Sequence, residues 1–152
     1  QKSGWGTSAR LRVDAAKKYA KETGSSLILD YGCGKGEMQK QSGMAMDEYD
    51  PAIPSKSEIQ KDKYEMVICT DVSEDVGPEY VDNVLSESND RAEKCAYFII
   101  YLVPAVHLLP DGSNCHRTIK PVAWWVEKIN KIFNCEAAYS STSAELELIS
   151  IR

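Results

Sequence analysis

The chain has 152 residues, a length that suits one compact domain with its own hydrophobic core. Hydrophobic residues make up 43% of it and charged residues 27%, the composition of a soluble globular protein. The formal net charge of −5, with no run of basic residues, argues against nucleic acid as a partner and favours a small or neutral one.

Cysteine usage and hydropathy indicate a cytoplasmic protein without a membrane partner. An odd number of widely spaced cysteines, with no C-x-x-C pair, predicts reduced thiols and no metal site. No apolar stretch is long enough to cross a membrane, and no signal peptide is recognisable. The cysteines are Cys33, Cys69, Cys95, Cys115 and Cys135.

The first predicted elements are a helix and a buried strand. The helix runs from Thr7 or Ser8 to about Thr23, and Gly24 ends it. The strand follows from Ser26 to Tyr31. The apolar face of the helix is predicted to consist of Leu11, Ala15, Ala16, Tyr19 and Ala20.

The end of this strand carries the most informative pattern in the chain. Asp30 is followed by three alternate glycines, Gly32, Gly34 and Gly36, which allow positive φ and let a ligand approach the main chain. A short helix to Gly43 would direct its free N–H groups at this loop. The spacing is neither G-x-G-x-x-G nor a phosphate loop. A carboxylate at Asp30 suits a ligand that presents an ammonium group and suits a pyrophosphate poorly.

Strands and helices continue to alternate along the chain. A second strand is predicted over 44–49, and a third over 65–70 has an apolar centre typical of burial on both faces. Pro78 begins a helix, and the most apolar strand of the chain follows over 96–103.

The last third of the chain begins with a long loop, predicted over 104–120. Pro121 begins an amphipathic helix, and two closing strands are predicted over 136–139 and 144–151. Alternation of this kind indicates an α/β sheet with right-handed crossovers.

Three segments, in this order, resemble class I S-adenosylmethionine-dependent methyltransferases. The run Leu29-Asp-Tyr-Gly-Cys-Gly-Lys-Gly36 is similar to the first motif of that family. Tyr49-Asp-Pro51 and the segment 64–76 match the ends of its second and fourth strands. The run 109–116, followed by two tryptophans, is similar to small methyltransferase-like proteins of phage and marine microbial type.

The resemblance covers roughly residues 26–126 and implies an α/β fold, a single Rossmann-like domain with a mostly parallel sheet. Residues 1–24 would form its N-terminal helix and 25–152 its core. Only a short polar stretch separates Asp50 from Tyr64, where the full fold has a helix and a third strand. The sheet is therefore expected to be trimmed after the second strand, which would leave the adenine pocket more open.

The resemblance also implies S-adenosyl-L-methionine as the cofactor. The glycine-rich loop would cradle its methionine end, and Asp30 would hold the ammonium group. Asp50 would accept the two ribose hydroxyls, with Asp47 and Glu48 as alternatives by register. The implied cofactor-binding residues are Asp30, Gly32, Cys33, Gly34, Gly36, Asp50, Asp71 and Val72.

Candidate residues on the acceptor side lie in the long loop and the helix after it. His116 could act as a general base, although a loop histidine is more often a plain surface or hydrogen-bonding residue. Asp111 and Asn114 would orient it or bind substrate. Trp124 would line a substrate cleft or rest under a loop. After Asp71 the chain lacks the histidine that the family often carries.

The sequence thus predicts methyl transfer from S-adenosylmethionine to an unknown acceptor. The alternative is a non-catalytic S-adenosylmethionine-binding module or regulatory subunit. A nucleotide-binding oxidoreductase is a further rival, against which Asp30 and the glycine spacing argue. The methyl acceptor and the oligomeric state stay open.

Overall fold

A computed structural model describes residues 7–133 and 137–152 of the chain, with side chains from residue 10 onward. Residues 1–6 and 134–136, among them Cys135 and Glu136, lie outside the described residues. The elements are α1 (Thr7–Thr23), β1 (Ile28–Tyr31), α2 (Glu37–Ser42), β2 (Asp47–Tyr49), a 3₁₀ turn (Pro54–Lys56), β3 (Tyr64–Thr70), α3 (Pro78–Arg91), β4 (Ala92–Tyr101), α4 (Val122–Ile132), β5 (Ala137–Ser141) and β6 (Glu145–Ile151).

The strands form one six-stranded sheet in the order β2-β1-β3-β4-β6-β5. The pairs β1–β2, β1–β3 and β3–β4 are parallel, and β6 runs antiparallel to both β4 and β5. The chain leaves β1 towards β2 on one side and later returns to β3 on the other. The strand order therefore reverses at the β1–β3 boundary, where open α/β sheets form a crevice at the carboxyl ends of their strands.

Helices cover both faces of the sheet, which explains why the central parallel strands are apolar throughout. On one face α1 and α2 contribute Val13, Ala16, Ala20 and Met38 to a core with residues of β1, β3 and β4. On the other face α3 and α4 contribute a second core set. The buried residues of these two helices are Val81, Leu85, Ser88, Asn89, Trp125 and Ile129.

The sequence placed the apolar face of α1 one residue away from its actual position. Leu11, predicted to be buried, is 64% exposed, whereas Arg12 is 6% exposed. The buried face of α1 consists of Arg12, Val13, Ala16 and Ala20. The helix is therefore rotated, relative to the prediction, so that Arg12 is buried and Leu11 is exposed. The ion pairs of Arg12, described below, account for the burial of a charged residue here.

Two strand boundaries also differ from their predictions. The strand predicted from Met44 begins only at Asp47, because the Met46 N–H donates to the Gln39 side chain at 2.7 Å instead of joining β1. The strand predicted from Ala96 begins at Ala92, directly where α3 ends, and Ala92 pairs with Tyr64.

Between β2 and β3 the structure has one 3₁₀ turn and no strand. Between β4 and α4 lies a long loop, residues 102–121, which contains one isolated bridge between Leu108 and Asn114. None of the helices in the described ranges has the length and apolar character needed to span a membrane.

Candidate functional site

A cavity of about 300 Å³ lies at the carboxyl ends of β1 and β3, where the strand order reverses. It is lined by Arg12, Asp30, Gly32, Cys33, Gly34, Lys35, Glu37, Met38, Thr70 and Asp71. A larger depression of about 660 Å³ lies near the start of β1, at the opposite edge, beside Lys17, Lys21 and Ser26. The smaller cavity is the one at the edge where sheets of this type bind ligands.

The three glycines of the glycine loop, residues 32–36, serve different purposes. All three have positive φ, +78° at Gly32, +51° at Gly34 and +78° at Gly36. A Cβ on Gly32 would lie 2.2 Å from the Val72 side chain, and one on Gly36 would lie 2.3 Å from the Glu48 carboxylate. A Cβ on Gly34 would meet nothing within 4 Å. A Cβ would therefore collide with Val72 at Gly32 and displace the Glu48 carboxylate at Gly36, whereas Gly34 presents an open backbone face to the cavity.

Backbone and side-chain hydrogen bonds fix the shape of the glycine loop. The N–H groups of Gly32 and Cys33 both donate to the Tyr49 carbonyl, at 2.7 and 3.0 Å. The Gly34 N–H donates to Oδ2 of Asp50 at 3.0 Å, and Nζ of Lys56 donates to the Gly34 carbonyl at 3.2 Å. The loop is thus held from β2 and the segment after it.

Asp30 is a buried carboxyl group at the base of this cavity, with 3% of the residue exposed. Burial, together with the neighbouring Glu48 and Asp50, raises its pKa to about 7, and Lys56 opposes that shift. None of the described residues donates a hydrogen bond to its side chain. A cationic ligand would favour the carboxylate form of Asp30, whereas a pyrophosphate would oppose it.

The structure distinguishes the three acidic residues that the sequence left as alternatives at the end of β2. Asp47 accepts hydrogen bonds from Lys61 and from the Tyr64 hydroxyl, at 2.7 and 2.8 Å, and is thereby engaged away from the cavity. Glu48 pairs with Lys56 at 3.2 Å under Gly36. Asp50 contacts the glycine loop itself, and its Oδ1 accepts the Ala52 N–H at 3.0 Å.

Two contacts stabilise the glycine loop, one from Cys33 within it and one from Val72, which packs against it. The Cys33 thiol is buried and donates to the Gly34 carbonyl at 3.6 Å; burial, together with nearby Asp30, raises its pKa to about 11. It is therefore protonated and unreactive near neutral pH. Val72 packs against Gly32 and the core, and it does not line the cavity.

The sequence analysis missed Arg12, which reaches the site from α1. Its guanidinium forms ion pairs with Asp71 and Glu145 and lies 5.1 Å over the ring of Tyr101. Asp71 itself has φ +60°, the one positive φ outside glycine in the described ranges. Burial raises the pKa of Asp71, and Arg12 opposes that shift. A charged residue within an apolar helical repeat was the signal that could have identified Arg12.

His116 lies at the same carboxyl edge, next to the end of β4. Its ring stacks on Tyr101 with centroids 5.3 Å apart, and Nδ1 donates to the Val103 carbonyl at 2.7 Å. Nε2 is 3.9 Å from Oδ1 of Asp75. Burial raises the pKa of Asp75 to about 6, with His116 lowering it and Asp71 raising it. The sequence analysis assigned no role to Tyr101 or Asp75.

The other residues predicted for the acceptor side are engaged elsewhere. The Asn114 side chain bonds both the N–H and the carbonyl of Ala105 and accepts the His116 N–H, so it braces the loop that carries His116. Asp111 is exposed and accepts two hydrogen bonds within its own turn from Ser113. Trp124 packs edge-on against Trp125 and under two lysine ammonium groups.

The cavity brings together five of the predicted cofactor-binding residues. These are Asp30, Gly32, Cys33, Gly34 and Asp71. Gly36, Asp50 and Val72 do not line it, although Asp50 and Val72 contact glycines that do. His116 and the other predicted acceptor-side residues lie outside its lining.

No protein-family model matches this sequence, and no curated protein matches it. Solved structures do match. An O-methyltransferase family protein from Burkholderia thailandensis superposes with a TM-score of 0.71 at 10% identity, over 95% of this chain and 56% of that protein. The fold is that of the S-adenosylmethionine-dependent methyltransferases.

Two further neighbours show the range of proteins that share this fold. Magnesium protoporphyrin IX methyltransferase from Synechocystis PCC 6803, solved with bound S-adenosylhomocysteine, has a TM-score of 0.64 at 17% identity, over 95% of this chain and 83% of that one. A small RNA methyltransferase has a TM-score of 0.70 at 12% identity, over 100% of this chain and 26% of that one. This chain thus spans about half of the first neighbour and a quarter of the last.

Proposed function

We propose that this chain binds S-adenosyl-L-methionine and transfers its methyl group to an acceptor. One observation carries the proposal: the open backbone face of Gly34 adjoins the buried Asp30 carboxyl group in a cavity at the reversal point of a methyltransferase fold. A ligand with a cationic group on an unbranched chain fits beside Gly34 and Asp30. The methionine end of the cofactor has these properties.

Different residues of the site are suited to different parts of the cofactor. Gly34 lets the ligand reach the main chain, and Asp30 is proposed to hold the ammonium group as a carboxylate. Asp50, already in contact with Gly34, is proposed to accept the ribose hydroxyls. When bound, the cofactor supplies an activated methyl group on a positively charged sulfur. The protein then contributes alignment of the acceptor and exclusion of water.

The short segment between β2 and β3 supports the proposal that the adenine end of the cofactor site is open. A single 3₁₀ turn occupies this segment, whose backbone returns from Asp50 to Lys56 through a hydrogen bond of 2.9 Å. We propose that the domain is a trimmed methyltransferase domain of 152 residues, related to small phage and marine microbial types. Its affinity for the cofactor is then expected to depend mainly on the methionine and ribose ends.

The acceptor is proposed to be small or neutral and to approach beside Arg12 and His116. Carboxyl groups crowd this side, namely Asp71, Asp75 and Glu145, and they repel a phosphate backbone. His116 as general base stays a prediction. A cytoplasmic location is also a proposal, supported by the free thiols of the cysteines in the described ranges.

Calorimetric titration tests the cofactor directly. We expect S-adenosylhomocysteine and S-adenosylmethionine to bind with one site per chain and NAD to give no heat. Binding of NAD with neither sulfur ligand would overturn the assignment. Transfer of a labelled methyl group to a panel of small acceptors tests catalysis. If the ligands bind but no acceptor is found and no methyl group leaves the cofactor, the chain is the non-catalytic binding module instead.

A further inference from the structure

Three side chains with metal-binding atoms converge beside the end of β3. Asp75 follows that strand, and Cys115 and His116 come from the long loop. One ligand atom of each lies within 4.8 Å of the other two. The sequence analysis predicted no metal site, because it considered only spacings between cysteines, and 40 residues separate Asp75 from the other two.

The orientation of His116 is that of a metal ligand. Its Nδ1–H donates to the Val103 carbonyl at 2.7 Å, which fixes the tautomer and leaves the lone pair on Nε2. Nε2 is the nitrogen that points to Asp75, at 3.9 Å. Stacking on Tyr101 fixes the plane of the ring. Histidine ligands of metals characteristically donate their other N–H to a carbonyl or carboxylate in this way.

Cys115 adds a soft ligand to the set. It is half-buried, and its thiol makes a 3.6 Å contact with the His107 carbonyl. A thiolate, an imidazole and a carboxylate together are the donors that Zn²⁺ takes in proteins. Three protein ligands leave the fourth tetrahedral position for water or a substrate atom.

Two buried carboxyl groups with unpaired oxygens lie close in sequence to Asp75 and would favour a cation nearby. Glu74, next in sequence to Asp75, is fully buried, and neither oxygen has a hydrogen-bond partner among the described residues. Oδ1 of Asp71 is likewise buried and without a partner in the described part of the chain. A divalent cation bound at Asp75 would place positive charge near these unpaired oxygens.

We propose that Asp75, Cys115 and His116 form a binding site for one divalent transition-metal ion, best matched by Zn²⁺. Binding joins the long loop to the end of β3 and releases the thiol proton to solvent. His116 then coordinates the ion through Nε2, and this role replaces the general-base role predicted from the sequence. The site lies on the acceptor side of the proposed methyltransferase, but it does not depend on that function.

Cobalt provides a spectroscopic test, since Co²⁺ takes the same ligands and absorbs light. The full chain, stripped of metal with a chelator, is titrated with Co²⁺ without cofactor. We expect one equivalent to produce a thiolate-to-cobalt charge-transfer band, and Zn²⁺ to displace it. Cys115→Ser should abolish the band, and His116→Ala should weaken Co²⁺ binding by more than about 100-fold, more than the loss of a residue that only hydrogen-bonds to a ligand would cause.

His107→Ala is the matched control, because His107 is an exposed histidine of the same loop that supplies no ligand to the site. Its band and affinity should equal those of the wild type. The proposal is overturned if no thiolate band forms, or if Cys115→Ser and His116→Ala bind Co²⁺ as the wild type does. Circular dichroism of each variant separates loss of a ligand from loss of the fold.

Discussion

Two halves of the same sheet edge are built in different ways. The half at β1 and β2 is shaped by the main chain, through positive φ at three glycines and N–H groups bound to the Tyr49 carbonyl. The half at β3 and β4 is shaped by side chains, through the ion pairs of Arg12 and the stack of Tyr101 on His116.

This difference predicts how each half responds to substitution. In the main-chain half a glycine cannot change, because no L residue adopts these φ values without strain, and the sensitive side chains are those of Asp30 and Asp50. In the side-chain half each contact depends on one residue type. Cofactor binding should therefore be lost at few positions in the first half, and acceptor chemistry at several positions in the second.

Gly34→Val should produce the largest effect. The new side chain fills the open face where the ligand meets the backbone, so calorimetry should detect no binding of S-adenosylhomocysteine, a loss of more than about 100-fold. Gly43→Val is the matched control. Gly43 has φ +69° and also open space around its Cα, but it ends α2 outside the cavity.

Both variants carry similar backbone strain, about 1–2 kcal/mol for a β-carbon in this region. Their melting temperatures should fall together, and only Gly34→Val should lose the ligand. Equal affinities in the two variants would show that the ligand does not approach Gly34 and would break the distinction between the two halves.

Asp50→Ala should weaken cofactor binding about tenfold or more. The charge-assisted hydrogen bonds of one carboxylate contribute about 1.5–3 kcal/mol. Because Asp50 also accepts the Gly34 N–H, we expect a small drop in the melting temperature of the ligand-free protein as well. His116→Ala, in the other half, should leave cofactor affinity intact. If Asp50→Ala binds normally, Glu48→Ala becomes the decisive variant, since Asp47 is occupied by Lys61 and Tyr64.

The same difference explains what the sequence could predict. The glycine loop and its acid are local, so a run of eight residues indicated them, and strand–helix alternation indicated the α/β class correctly. Arg12, Tyr101 and Asp75 come from separate elements and meet only through the register of α1 and the pairing of β3 with β4. No single segment carries that information. The prediction of α1 was wrong at Leu11 because hydropathy alone disregards a buried ion pair.

Cofactor affinity should depend on pH through Asp30. Its pKa in the folded protein is raised to about 7, so near neutral pH about half of the ligand-free molecules carry a neutral acid there. An ammonium ligand needs the carboxylate. Affinity for S-adenosylhomocysteine should therefore rise between pH 5.5 and 7.5, by up to about tenfold per unit below the pKa. Asp30→Asn should bind weakly with a flat profile.

Stability of the ligand-free protein should change with pH in the opposite direction. A carboxyl group whose pKa is raised by folding, from 3.8 to about 7, contributes stability below pH 4 that is lost as the pH rises through 7. The melting temperature should fall over this range and fall less in Asp30→Asn. A cofactor affinity that does not change with pH would show that Asp30 is not the group that meets the ammonium.

The smallest expected effect concerns Lys56, the one cation that lowers the pKa of Asp30. Lys56→Met should raise that pKa and move the midpoint of the affinity profile to higher pH. The shift should be a fraction of a pH unit, because burial and Glu48 outweigh Lys56. Lys61→Met is the control: Lys61 pairs with Asp47, outside the cavity, and its loss should leave the midpoint unchanged.

The midpoint of the profile is the informative measurement in this experiment. Because Lys56 also donates to the Gly34 carbonyl, its loss can lower the absolute affinity without any change in the pKa of Asp30. A midpoint that moves equally in both variants would mean that the whole surface, and not the group at the base of the cavity, sets the profile.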